Sequence, residues 1–199
     1  MEAFSSKNLF ASLLILFAFS IIFCPAQATK KPYQEASTQF IRTSCSTTTY
    51  PKLCFHSLSK HASFIQTNRL LLTGTSLNVT LSSAKSTSVL MSTLAKSQGL
   101  KPREIAAMKD CVEELRDSVD ELRKSIDEMS HLGNSNFDLT MNDVQTWVSA
   151  ALTDESTCTD GIQETKGNVK TTVRGRIVKV AQLTSNALAL INQLASFHG

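Results

Sequence analysis

The amino-acid sequence predicts an all-α protein: an up-down-up-down four-helix bundle preceded by an N-terminal helical hairpin and held by two disulfides. Long segments place apolar residues at alternating intervals of three and four, which is typical of amphipathic helices. Short connections join these segments, and no strand-like alternation of apolar and polar residues competes with them. Only seven glycines and four prolines occur in 199 residues, too few for the many turns of a β-sandwich or barrel.

The second bundle helix has the clearest pattern, starting at Lys101-Pro102 and ending at His131-Leu132-Gly133. Proline suits a first turn, and glycine suits the position after the last turn. Its apolar residues form a heptad seam: Ile105, Met108, Val112, Leu115, Val119, Leu122, Ile126 and Met129. The opposite side is charged, and there Asp120 is expected to pair with Lys124 one turn later.

Capping residues and glycines bound two of the other bundle helices, Ser76 to Gly99 and Asp138 to Gly161. The last helix is predicted by its apolar seam from about Val169 to Phe197. On the third bundle helix we expect Trp147 in the core, because an indole is large and its neighbours in the helical repeat are apolar. Asn186 on the last helix leaves two possibilities open. If the amide is buried, it needs hydrogen-bond partners and can fix the helix register; if it is exposed, it has no such role.

Residues 1–28 have the pattern of a secretory signal peptide. Lys7 precedes an apolar stretch from Leu9 to Cys24, and Pro25 and Ala26-Gln27-Ala28 then form a signal-peptidase site. The stretch is shorter than the roughly 20 residues of a membrane-spanning helix. The sequence therefore predicts cleavage after Ala28 and a secreted chain that is not held in a membrane.

Four cysteines remain after the predicted cleavage: Cys45, Cys54, Cys111 and Cys158. An even number in a secreted chain predicts two disulfides; of the three possible connectivities, pairing neighbours in sequence is the simplest. A zinc site is the alternative, but no Cys-x-x-Cys occurs and no histidine stands at ligand spacing, so no metal is predicted. Residues 29–75 are expected to form the helical hairpin, bent at Pro51, ahead of a bundle over 76–199.

The sequence contains none of the usual motifs for catalysis or cofactor binding: no Gly-x-Ser-x-Gly, no His-Glu-x-x-His, no phosphate-binding glycine loop and no dinucleotide fingerprint. The four histidines, His56, His61, His131 and His198, are interpreted as surface residues. The acidic pairs Glu113-Glu114 and Asp154-Glu155 are interpreted as solvated helix faces, where carboxylates lack the burial that would separate their pKa values. The sequence thus predicts a protein that is not an enzyme and binds no cofactor.

Charge is unevenly distributed along the chain, although the total is only +3. Counting Lys and Arg against Asp and Glu, residues 29–100 have a net charge of +7, residues 101–164 of −9 and residues 165–199 of +5. No run of five basic residues occurs, so nucleic acid is not expected as a partner. The acidic block either complements the basic helices internally or forms a docking surface for a basic partner.

Several motifs together resemble those of the plant invertase and pectin methylesterase inhibitor family, over nearly the whole chain after residue 28. They are Ile41-Arg42-Thr43-Ser44-Cys45, Tyr50-Pro51-Lys52-Leu53-Cys54, Asp110-Cys111-Val112-Glu113-Glu114-Leu115, Val144-Gln145-Thr146-Trp147-Val148-Ser149-Ala150-Ala151-Leu152-Thr153, Thr157-Cys158-Thr159-Asp160-Gly161, and Leu183-Thr184-Ser185-Asn186-Ala187-Leu188-Ala189-Leu190. The resemblance implies an inhibitor domain over 34–197 and disulfides Cys45–Cys54 and Cys111–Cys158.

The resemblance also implies the function. It indicates a secreted inhibitor of the plant cell wall and apoplast that covers the substrate cleft of pectin methylesterase in a 1:1 non-covalent complex. Other family members inhibit cell-wall or vacuolar acid invertases. The segment from Leu100 to Met129 looks more like the pectin methylesterase-directed branch, so acid invertase is the alternative target.

The second and third bundle helices are the expected contact surface. The candidate contact residues are polar and repeat every three or four positions: Glu113, Asp117, Asp120, Lys124 and Asp127, then Asp143, Thr146, Ser149 and Thr153. The alternative is that both stripes are ordinary solvated faces.

Three further expectations concern carbohydrate and catalysis. Asn78-Val79-Thr80 is an N-glycosylation sequon, so Asn78 is a candidate attachment site. The basic segment Lys166 to Lys179 could bind acidic pectin weakly and directly. A small hydrolase with an unrecognised site is the remaining alternative.

Overall fold

A computed structural model describes residues 30–96, 99, 101–132, 136–162 and 168–197, without the side chains of 30–32, 168–170 and 172. The predicted signal peptide lies outside the described residues. Within these ranges the chain contains helices and turns and no strand. None of these helices combines the length and the apolar composition that a bilayer span requires.

Seven α-helices follow one another in the part of the chain that the structure describes. They are α1 (Lys30–Cys45), α2 (Pro51–Leu58), α3 (Ala62–Ile65), α4 (Arg69–Leu94), α5 (Pro102–Ser130), α6 (Phe137–Gly161) and α7 (Asn168–Ser196), with a 3₁₀ turn (Ser59–His61) before α3. The first three form the hairpin region, and the last four form the bundle. The predicted all-α bundle is confirmed, and α5 ends where its glycine signal indicated.

The bundle helices form a ring in which each packs against its neighbours in sequence and α7 closes against α4. The pair α5–α6 therefore lies opposite the pair α4–α7. Most of the predicted seam of α5 is buried, with Leu115 and Leu122 at 0% exposure. The residues Val144, Val148 and Ala151 of α6 are equally inaccessible and complete the core between the two pairs.

Two predicted helix starts are wrong, the first by eight residues and the second by two. Helix α4 begins at Arg69, where the Asn68 side chain accepts a hydrogen bond from the Leu71 backbone N–H at 3.0 Å. Ser76 is buried inside the helix instead of capping it. The extension has a tertiary cause, because Leu72 is buried in the hydrophobic cluster of the hairpin. Helix α6 is likewise capped by Asn136, which accepts from the N–H of Asp138 at 3.1 Å.

Both disulfides join neighbours in sequence, which confirms the simplest connectivity. Cys45–Cys54 links α1 to α2 with a Cα–Cα distance of 5.6 Å, and Cys111–Cys158 links α5 to α6 with one of 4.4 Å. The first closes the hairpin, whose small core could not hold it alone. The second fixes one end of the α5–α6 pair.

The Asn186 amide attaches the hairpin to α7, which answers the question that the sequence left open. Its Oδ1 accepts from the Tyr50 N–H at 2.9 Å, and its Nδ2 donates to the Tyr50 carbonyl at 3.0 Å. Asn186 is only 1% exposed, so its amide is buried and both of its polar atoms are paired with Tyr50. Farther along α7, the Gln193 amide donates to the Thr47 hydroxyl at 2.8 Å.

A buried carboxyl group connects three bundle helices. The Glu155 Oε1 accepts hydrogen bonds from the hydroxyls of Ser118 at 2.8 Å and Thr184 at 2.9 Å. Burial raises the pKa of Glu155 to about 7, although the two hydroxyls lower it. The interpretation of Asp154-Glu155 as a solvated pair is therefore wrong for Glu155, which has 0% exposure. Its position in the seam of α6 places it in the core despite its charge.

Replacing Asn186 by Ala should lower the free energy of unfolding by about 2 kcal/mol, because the Tyr50 N–H is left without its partner. Urea unfolding measures this change. Asn192→Ala is the matched control, since that amide lies exposed on the same helix and accepts only from Gln145. Equal losses in the two variants would show that Asn186 does not anchor the hairpin.

Glu155→Gln should remove a pH dependence of stability. Glu155 holds its proton more tightly in the folded chain, with a pKa of about 7 against an ordinary 4.5. The stabilising contribution of protonated Glu155 is complete below pH 4.5 and is lost as pH rises through about 7. Between pH 4.5 and 8 the wild type should lose about 3 kcal/mol relative to the variant. Urea unfolding across this range checks it, with exposed Glu35→Gln as control; parallel curves would contradict it.

Candidate partner-binding face

The exposed side of the α5–α6 pair contains the predicted contact residues. We call this surface the acidic face; it comprises Glu113, Asp117, Asp120, Glu121, Lys124, Asp127, Asp143, Thr146, Trp147, Ser149, Thr153 and Asp154. Eight of the nine predicted residues are exposed, and Asp143 is half-buried. Exposure is what a contact role requires, but an ordinary solvated face would show it too.

A shallow groove of about 530 Å³ runs along the middle of the acidic face. The predicted residues Asp117, Asp120 and Lys124 line it, together with Glu121 and Asp154, which were not predicted as contacts. Glu113 lines a second depression of about 650 Å³ beside the Cys111–Cys158 disulfide. The α6 hydroxyls Thr146 and Thr153 lie outside both and donate to carbonyls of their own helix.

Trp147 lies on the acidic face and not in the core, so its predicted position is wrong. The side chain is half-buried, and the Lys124 Nζ lies 4.2 Å from the centroid of its ring. A cation–π contact of this kind is worth roughly 0.5–1 kcal/mol at an exposed site. The predicted Asp120–Lys124 ion pair is wrong as well, because Asp120 pairs with Arg123 instead.

Two carboxyl groups face each other in this groove, one from each helix. Burial, followed by the neighbouring Asp154, raises the pKa of Glu121 to about 7. Burial likewise raises the pKa of Asp154. Each group has a buried oxygen that receives no hydrogen bond from the described residues. Since two carboxylates have no proton to give, they can hydrogen bond to each other only when one is protonated.

Sequence reasoning missed Glu121 because its heptad position predicts a solvated side chain. Glu114, Glu121 and Glu128 are seven residues apart and directly precede the seam residues Leu115, Leu122 and Met129. This is position c of the heptad, on the outer side of the helix, whereas the positions that flank a seam are e and g. The pKa of Glu114 is also raised, first by burial and then by Asp154. The close approach of α6 brings these acidic groups together, which the pattern of α5 alone does not show.

The acidic face has few cations of its own to neutralise it. Residues 132–164 contain no Lys or Arg. On α5, Arg123 pairs with Asp120, and Lys124 lies over Trp147. Asp117 makes no ion pair with any described residue. The arrangement has the features of a protein-binding surface: a fixed helix pair, uncompensated carboxylates and a half-buried indole at its centre.

The fold defines a disulfide-linked four-helix bundle preceded by a helical hairpin. The family model for plant invertase/pectin methylesterase inhibitor matches residues 39–190, so the chain belongs to that family. This confirms the resemblance on which the sequence analysis relied.

Similar proteins agree with this assignment. A 21 kDa protein of Daucus carota is 44% identical over 192 residues, which cover 94% of this chain and 96% of the relative. Pectinesterase inhibitor 9 of Arabidopsis thaliana is 44% identical over 191 residues, 92% of each chain. A mutant form of a pectin methylesterase inhibitor from Arabidopsis has the same fold, with a TM-score of 0.62, 23% identity, and coverage of 74% of this chain and 92% of its own. The chain is thus a member of an inhibitor family and not an enzyme.

Removing either member of the Glu121–Asp154 pair should stabilise the protein at pH 8 and change little at pH 5. The raised pKa of Glu121 means that its contribution to stability is lost as pH rises through about 7. Glu121→Gln and Asp154→Asn should each raise the Tm at pH 8, because each removes the repulsion between two carboxylates. The double variant should gain no more than the better single one. Additive gains, or no gain, would show that the two groups do not share a proton.

Proposed function

We propose that this protein inhibits pectin methylesterase by laying its acidic face over the substrate cleft of the enzyme, in a 1:1 non-covalent complex. Membership of the family supports the target class, as does the relative named pectinesterase inhibitor 9. The observation that supports the place of contact is the run of uncompensated carboxylates on a rigid pair of helices.

Rigidity favours this face over the rest of the surface. The disulfide brings the Cα atoms of Cys111 and Cys158 to 4.4 Å and fixes the register of α5 against α6. A surface ordered before binding loses little conformational entropy on association. Two packed helices also form a convex ridge roughly 20 Å across, since one helix with its side chains is about 10–12 Å wide. A ridge of this width can fill an open cleft.

The centre of the face resembles a binding hot spot. Hot spots are enriched in Trp, lie near the middle of an interface and are surrounded by polar contacts. Trp147 is half-buried beneath Lys124, and Lys124 in turn lines the groove together with Asp117, Asp120 and Asp154. Displacement of the lysine would expose the indole to the enzyme. The carboxylates would speed the encounter with a basic cleft.

Secretion belongs to the same proposal. The predicted signal peptide would send the chain to the cell wall and apoplast, where a wall-modifying enzyme acts. Asn78 would be available for glycosylation on that route, since its side chain is exposed on α4. Its amide donates to the Gly74 carbonyl at 2.8 Å within the helix.

The decisive experiment adds the refolded, disulfide-bonded protein to a plant pectin methylesterase and, separately, to an acid invertase at several pH values between 4.5 and 7.5. Loss of esterase activity at one equivalent, with a complex of matching mass in size-exclusion chromatography, supports the proposal. Inhibition of invertase alone would favour the alternative target. If neither enzyme is slowed at any pH, the proposed function is wrong.

Charge reversal at Asp117 should weaken inhibition without harming the fold. Asp117 is exposed and raises the pKa of Glu121 and Asp154, so Asp117→Lys relieves repulsion inside the protein. The inhibition constant should rise about tenfold at low salt, mainly through slower association, and its salt dependence should decrease. Steady-state inhibition at two ionic strengths measures both.

Glu35→Lys is the matched control for this variant. It makes the same charge change at an exposed position on α1, away from the acidic face. It should change the inhibition constant less than Asp117→Lys at low salt, and no more than about twofold at roughly 0.1–0.15 M salt, where the Debye length is about 8–10 Å. Equal effects of the two variants would remove the acidic face as the contact surface.

A further inference from the structure

A second groove lies on the side of the bundle opposite the acidic face, between the hairpin region, α4 and α7. Its volume is about 810 Å³. That volume is within the range of small-molecule and saccharide sites. The groups that define its chemistry are Lys60, Lys179, His56, His61, Ser82 and Ser83. We call this feature the basic groove.

The elements that line the basic groove provide no negative charge. No Asp or Glu occurs between residues 36 and 103 or after residue 164. The walls come from residues 51–65, 69–94 and 168–196, so they contain no carboxylate. Lys60 and Lys179 are exposed and make no ion pair with any described residue. The acidic residues of α5 and α6 lie on the far side of the ring of helices. The positive potential in the groove is therefore not neutralised locally.

Hydroxyl groups and a small apolar floor add a second type of contact. Ser57 and Ser86 donate to carbonyls of their own helices. The hydroxyls of Ser82 and Ser83 lie at the same groove and have no hydrogen-bond partner among the described residues, so they are available to a ligand. Leu53, Val79 and Leu183 provide apolar surface between these polar groups.

We propose that the basic groove binds an acidic oligosaccharide. Its lysines would pair with the carboxylate or sulfate groups of the sugar, its serines would bond to sugar hydroxyls, and its apolar side chains would pack against the C–H faces of the rings. A single-stranded nucleic acid fits less well, because none of the described residues lining the groove is a Phe, Tyr or Trp on which a base could stack. The site is independent of the proposed inhibition, since it uses the other side of the molecule.

The basic groove differs from the pectin-binding segment that the sequence suggested. That segment, Lys166 to Lys179, lies partly outside the described residues. Its last residue, Lys179, lines the groove on α7, whereas Lys60 and the histidines come from the hairpin region. The site therefore exists only when the hairpin is packed on the bundle. Asn78 also lines it, so a glycan attached there would compete for the same space.

The test uses the refolded, unglycosylated chain of residues 29–199, at constant pH and low salt. Binding to short polygalacturonate chains is measured by titration calorimetry, with dextran sulfate and neutral dextran as further probes. Both anionic probes test the same site. The probe that binds more tightly shows whether the groove prefers the carboxylates of polygalacturonate or the sulfates of dextran sulfate. Neutral dextran should not bind. The double variant Lys60→Glu/Lys179→Glu should lose about tenfold or more in affinity, since two attractions become repulsions.

Lys96→Glu/Lys109→Glu is the control, because these exposed lysines change the net charge equally and lie outside the groove. It should lose no more than about threefold. Equal losses in the two double variants, or no binding of either anionic probe, would overturn the proposal. Inhibition of pectin methylesterase is measured in parallel and should be the same in Lys60→Glu/Lys179→Glu as in the wild type. That second measurement keeps failure of the groove distinct from failure of the proposed function.

Discussion

The close packing of α5 against α6 is the constraint on which the rest of the structure depends. The Cys111–Cys158 disulfide fixes this pair at one end, with a Cα–Cα distance of 4.4 Å. The close approach of α6 then brings Glu121 and Asp154 together across the groove. Glu155, one residue further along, points to the inside instead and reaches α7 through Thr184. The same packing thus determines the charge of the surface and a polar link in the core.

The ring order of the helices separates opposite charges in space. Because α5–α6 lies opposite α4–α7, the acidic block and the two basic segments of the sequence occupy different sides of the bundle. Among the described residues the ion pair formed is Asp120–Arg123, which lies within α5. Two oppositely charged surfaces remain available for two chemically different partners.

The sequence was sufficient for features that depend on local pattern. Apolar periodicity predicted α5 to within a residue or two at each end. The simplest connectivity of the four cysteines, which pairs neighbours in sequence, is the one that the structure has. The failures have a common physical cause. Ser76 has the composition of a cap, but burial of Leu72 by the hairpin extends the helix past it. Glu155 is charged, yet hydroxyls from two other helices accommodate it in the core. Contacts distant in sequence decided both.

Two carboxyl groups of the α5–α6 pair, Glu121 and Glu155, have a pKa of about 7 but differ in what binding would do to their charge. Glu121 and Glu155 stabilise the folded bundle when they are protonated, and this contribution is lost as pH rises through about 7. A basic partner on the acidic face would favour ionised Glu121, because opposite charge stabilises the carboxylate. Binding would therefore release a proton from the groove while Glu155, shielded in the core, keeps its own. The fully buried Glu155 preserves the stability of the bundle, and the half-buried pair Glu121 and Asp154 supplies the charge for binding.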